Sequence, residues 1–198
     1  MNVQHAFERD LRTLEVMVSE VSDYLDSKAT HWTLAVPDMP KLTLGGCLMR
    51  MHRLCALSSN LSQEQKDRLE KAVAEFEATL PEAIVRFEVR AHQELHDRLS
   101  EWSSYLRHMR GRHASSPEYY ARVVDTRVVI GRLITKLSQR PYHLEKQVPR
   151  ELDQFDRHLR NAWEEGEFVW PNYWQPVYPI DPFWYLYGSP RGSGRFST

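Results

Sequence analysis

The sequence predicts an all-α protein: an antiparallel bundle of five or six helices with an extended, proline- and aromatic-rich C-terminal segment packed on it. Three observations carry that expectation. Apolar residues recur at three- and four-residue steps over most of residues 3–165, and helix-start and helix-stop signals punctuate those runs. The period is then lost, and prolines and aromatic rings interleave instead. On this division residues 1–165 are the helical bundle domain. Residues 166–190 are an extended segment packed on the bundle or on a partner, and 191–198 are a flexible tail.

The clearest period lies in residues 3–27, where Phe7, Leu11, Leu14, Val18, Val21 and Leu25 form a heptad seam. Residues 29–41 break it with Pro37 and Pro40. Trp32 and Met39 favour burial, so this stretch reads as an ordered crossover. Thr43 is a candidate N-cap for a second helix reaching about Leu57, with Leu44, Leu48, Met51 and Cys55 on its inner face. Gly45 and Gly46 in its first turn imply a frayed start or a close helix approach.

Ser62 and Gln65 have the spacing of a capping box, opening the longest helical stretch. Its stripe runs through Leu69, Val73, Phe76, Leu80, Ile84, Phe87, Ala91, Leu95, Trp102 and Leu106, and holds phase across Pro81. That proline either kinks the element or starts a second helix in line with the first. Gly111 is the expected stop. Ser116-Pro117-Glu118 starts the next helix, about 117–139, which is apolar over a wide arc and closed by Pro141. Val148, Leu152, Phe155, Leu159 and Trp163 place a last helix at about 146–165.

At 198 residues with 41% hydrophobic and 27% charged residues, the chain has the balance of a globular protein with a real core. A formal net charge of −1 gives no overall attraction to nucleic acid or anionic membrane. No apolar run is long enough for a membrane span, and Met1–His5 lead into charged sequence without a secretory h-region. Cys47 and Cys55 are eight helical residues apart, roughly 12 Å, too far for a disulfide. Both read as core thiols, and a reducing, cytoplasmic compartment is expected.

Between Phe168 and Tyr187 stand nine aromatics (Phe168, Trp170, Tyr173, Trp174, Tyr178, Phe183, Trp184, Tyr185, Tyr187), with Pro171, Pro176, Pro179 and Pro182 among them. Either this segment covers an apolar groove of its own chain, or it docks on a partner through rings such as Trp170, Trp174, Trp184 and Tyr185.

Two further groups carry possible chemistry. His92 and His96 are one helical turn apart, with Glu88 a turn earlier, a spacing able to chelate a divalent metal. His52 on the second helix would be a third ligand. One histidine followed by a later His-x-x-x-His resembles the DinB-like metal-dependent helical bundles over those three residues. The resemblance implies a metal-dependent enzyme holding an ion such as Zn or Ni. The alternative is that the histidines are solvated or satisfied within the fold.

Residues 107–140 carry eight basic and two acidic side chains, eight minus two being a local charge of +6. Arg107, Arg110 and Arg112 are the densest part and would suit phosphate, nucleic acid or an acidic partner. The acidic stretches 62–101 and 144–167 offer intramolecular neutralisation instead. Arg127 falls inside the apolar arc of its helix, so it needs a carboxylate partner or lines an anion-binding cavity. No nucleophile elbow or phosphate-binding glycine loop is present, and no DNA- or RNA-binding motif accompanies the basic run. The expected function is non-enzymatic: protein–protein contact, with a protein partner or with itself as a homo-oligomer. Metal-dependent catalysis through His52, His92 and His96 and anion binding through 107–140 are the alternatives.

Overall fold

Helices hold most of the chain in the computed structural model, which describes residues 3–29, 32–109 and 116–191. Gly111 and the tail beyond Arg191 lie outside the described residues. The chain divides into two compact units, Met1–Leu95 with Arg132–His143 and His96–Gly131 with Leu144–Thr198. The division falls inside two helices.

In the first unit the heptad seam is the core. Phe7, Leu11, Leu14, Val18, Val21 and Leu25 are all at most 3% exposed; each is worth up to about 1.5–3 kcal/mol of burial. The seam runs across two helices, α1 (Val3–Ser19) and α2 (Val21–Asp26), because Glu20 leaves helical geometry between them. Its carboxylate accepts the indole N–H of Trp32 at 2.6 Å and the amide of Ala35 at 3.0 Å. One acidic side chain thus orders the crossover. There Leu34 and Leu42 are the buried residues, while Trp32 and Met39 are only half-buried.

Helix α3 (Leu44–Ala56) starts where Thr43 accepts the Gly46 amide at 3.0 Å. The second of its two glycines is closely packed: a Cβ on Gly46 would lie 3.0 Å from the Thr43 hydroxyl and 3.4 Å from Arg50. The buried face is rotated from the expected one. Leu44, Cys47 and Leu54 are buried, Leu48 and Met51 half-buried, and Cys55 exposed. Cys55 is therefore not a core thiol. Helix α4 (Gln63–Thr79) opens on the Ser62–Gln65 capping box, both reciprocal bonds of which are present. At Pro81 the chain starts a new helix, α5 (Ile84–His108), after a break at Leu80–Ala83. Helix α1 packs on α3 and α4. Arg68 on α4 bridges Glu8 and Glu15 of α1 at 2.8 and 2.7 Å.

The second unit takes the later part of α5, most of α6 (Pro117–Leu137) and α7 (Val148–Arg160). Ser116 accepts the Tyr119 amide, so the expected start of α6 is a true cap. Helix α7 ends earlier than the apolar spacing predicts. Trp163–Phe168 is a strand, β1, paired antiparallel with β2 (Tyr187–Pro190). Trp163 continues the seam in sequence, but Gly166 is a poor helix residue, and β2 offers backbone partners that a continued helix would not meet. Gly188 pairs with Glu165 at φ +134°, and a Cβ there would lie 2.1 Å from the Glu164 carbonyl oxygen. Only glycine fits that crossing.

Between the strands the segment is neither helical nor simply extended. It winds through a 3-10 stretch (Asn172–Val177) and short turns (Ile180–Phe183 and Trp184–Leu186). Trp174, Val177, Tyr178, Phe183, Tyr185 and Leu186 are buried. Among the described residues no helix is long and apolar enough to cross a membrane.

Candidate functional site

The three histidines singled out from the sequence have separate surroundings. In the first unit the His52 Nδ1 lies 3.2 Å from an Arg132 guanidinium nitrogen. Burial, with help from Arg132 and Arg53, lowers its pKa to about 4, so the ring is neutral at pH 7 and its Nδ1 accepts from Arg132. A guanidinium in that position opposes a second cation. His92 spends its Nδ1 on its own helix, donating to the Glu88 carbonyl at 3.0 Å. In the second unit the His96 Nε2 meets the Glu145 carboxylate at 3.0 Å. Among the described residues no three His, Cys, Asp or Glu side chains are grouped to hold a metal. Sequence spacing along one helix says nothing of which side chains the neighbouring elements supply, and the partners of His52, His92 and His96 are those their own surroundings give.

The basic residues also separate. Arg127 is 8% exposed and makes a two-pronged bond to Asp156 of α7, at 2.9 and 2.7 Å. Burial opposes its charge, but the Asp156 bonds outweigh that and raise its pKa. The Tyr185 ring lies 4.5 Å from the same guanidinium. Arg127 is thus the centre of an ion pair that ties α6, α7 and the C-terminal segment together. In the first unit Lys136 pairs with Glu77 at 2.8 Å, again basic helix to acidic helix. Arg107 lies with His96, Ser100 and Ser103 along one wall of a shallow groove of about 360 Å³, with Glu151 also lining it. Arg110 and Arg112 lie outside the described residues.

The aromatic segment is engaged within its own unit. The Trp170 indole donates to the Ala121 carbonyl at 2.7 Å, and the Tyr120 hydroxyl donates to the Tyr185 carbonyl at 2.6 Å. Trp184 packs edge-on against Trp163 at 5.3 Å, and Arg160 covers its face at 3.9 Å. Trp174 and Tyr185 are 7% and 3% exposed. Of these four rings, the sequence's candidates for partner docking, Trp174 and Tyr185 are buried, and Trp170 and Trp184 are half-buried.

Other features escape the sequence patterns. Arg90 and Glu94 are buried on α5 in the first unit. The Arg90 guanidinium donates to the Ser27 carbonyl and lies over the Tyr24 ring, while Glu94 accepts the Gly45 amide at 2.9 Å. That carboxylate sits on the first turn of α3, where the helix dipole favours negative charge. In the second unit a cleft of about 570 Å³ is lined by Glu118, Glu164, Glu165 and Glu167 beside β1.

The most unusual exposure is in the turn Pro179-Ile180-Asp181-Pro182. All four residues are exposed, Ile180 at 63%, between buried Tyr178 and Phe183 whose rings meet at 5.0 Å. A proline on either side restricts the backbone of the turn, and buried rings flank it. The signal in sequence was an isoleucine and an aspartate framed by prolines, which aromatic density overshadowed. In the first unit Val85 and Val89, one turn apart on α5, are 74% and 50% exposed. The chain matches no known family model, no curated protein and no solved structure.

Proposed function

We propose that this protein is non-enzymatic and works through protein–protein contact, including self-association. The observation that carries this reading is Ile180: a large aliphatic side chain held 63% exposed on a proline-framed turn. Isolated exposed aliphatics are ordinary on protein surfaces. This one stands on a tip restricted by prolines, whose neighbours on both sides are buried aromatics, so docking it costs little ordering entropy. The valine pair on α5 adds apolar surface of the same kind. On this reading the helices are an antiparallel bundle that serves as scaffold for recognition surfaces. The setting is the cytoplasm, supported by two free thiols.

Sedimentation velocity across micromolar to near-millimolar concentrations tests the reading. A mass that rises with concentration in the wild type, and less so in Ile180→Lys, is the expected result. A monomer at every concentration removes self-association. The broader reading falls too if no polypeptide contact is altered by Ile180→Lys, Val85→Lys or Val89→Lys.

A further inference from the structure

The first unit carries a surface whose chemistry matches the exposed turn. Leu80, Pro81, Ile84, Pro141 and Tyr142 supply most of the lining of a groove of about 360 Å³, which makes it largely apolar. Two cations also line it. Lys136 is already neutralised, both oxygens of Glu77 lying at 2.8 and 3.0 Å from its ammonium. Arg140 is exposed, with no ion pair among the described residues. The groove therefore offers an apolar bed and one uncompensated positive charge.

The turn offers the reverse: one exposed aliphatic side chain directly followed by one exposed carboxylate, Asp181, with no ion pair among the described residues. We infer that the groove of one copy of this chain receives the Pro179–Pro182 turn of a second copy, with Ile180 on the apolar lining and Asp181 against Arg140. This rests on the protein–protein reading above and names its partner. Three physical points favour it. Burying Ile180 removes apolar surface from water on both copies. The carboxylate meets the one lining cation not already spent, so charge selects the register of the contact. The backbone of the turn is restricted by its prolines, so little freedom is lost on docking. Because groove and turn are different surfaces, the contact is head-to-tail, and each copy carries one donor and one acceptor surface.

The full chain serves for the test, read by sedimentation velocity. Arg140→Glu and Asp181→Arg, taken singly, are each expected to raise the half-association concentration about tenfold, and Ile180→Lys at least as much. Arg140→Glu combined with Asp181→Arg restores association to near the wild-type value, which general surface damage would not do. Mixing Arg140→Glu with Ile180→Lys leaves one intact groove and one intact turn, so the mixture forms heterodimers that neither variant forms alone. All these positions are exposed; an unchanged thermal midpoint checks that each variant is folded. If the wild type associates but the single variants associate equally well, this docking mode is wrong and the protein–protein reading stands. If the wild type stays monomeric throughout, both the inference and self-association fail.

Discussion

Residues 3–26 and residues 163–190 each bury a large share of their side chains, by different physical means. The first stretch does it with one period: every third or fourth residue from Phe7 to Leu25 points inward, and the helical backbone satisfies itself. The second has no period. Trp174, Tyr178, Phe183 and Tyr185 reach burial through 3-10 turns and a strand. Its backbone bonds go to non-local partners, such as the Val169 amide to the Leu186 carbonyl at 2.9 Å. The difference teaches where each region is vulnerable. A periodic seam loses stability by the volume of the side chain removed, and an aperiodic segment loses it at the few points that hold its path.

The sharpest break of that contrast is Asp156→Ala. It leaves the Arg127 charge buried and unpaired beneath Tyr185, and the expected loss is about 3–5 kcal/mol in denaturant unfolding. Replacing the pair together by Arg127→Met and Asp156→Leu recovers most of the loss if the penalty is electrostatic. Leu14→Ala in the seam is expected to cost about 3 kcal/mol, in the range of buried leucine truncations. Its effect should fall on the first unit, read by hydrogen exchange. Gly188→Ala comes next, at about 2 kcal/mol, since the new methyl meets the Glu164 carbonyl and the glycine's positive φ is lost. Loss of amide protection confined to β1 and β2 is the signature; unchanged protection would show that the strand pair is not held by this crossing.

The smallest effects concern the histidines. His52 has a folded-state pKa of about 4, below its ordinary 6.5. Between those values the unfolded chain binds a proton that the folded chain does not. Stability is therefore level above about pH 6.5 and falls as pH drops toward 4. His52→Gln should flatten that slope; an unchanged slope would assign the acid sensitivity elsewhere. Added zinc or nickel should leave the unfolding midpoint where it is, and a saturable rise would favour the metal reading of His52, His92 and His96.

Local signals in the sequence are mirrored in the structure where the physics is local. The Thr43 and Ser116 caps and the Ser62–Gln65 box depend on atoms within one turn, and their geometry follows from spacing. The reading through Trp163 failed because helical phase cannot see a distant strand. Cys55 was misplaced because α3 turns a different arc inward, set by the helices it meets. Arg90 and Glu94 look like ordinary surface charges on a helix; their burial depends on Ser27, Tyr24 and Gly45, far away in sequence.

For the site, the sequence marked Arg127 as a residue that must have a partner, and only the structure supplied Asp156. It marked aromatic density as notable but could not tell covered rings from exposed ones. By itself, then, the sequence determined the helical class, the caps and the α1–α2 seam, because each follows from the helix period and from bonds within a turn. Tertiary structure alone decided the strand pair, the partners of the buried charges and the exposure of Ile180. Each of those depends on which distant segments come together, and burial is a property of that meeting rather than of any residue.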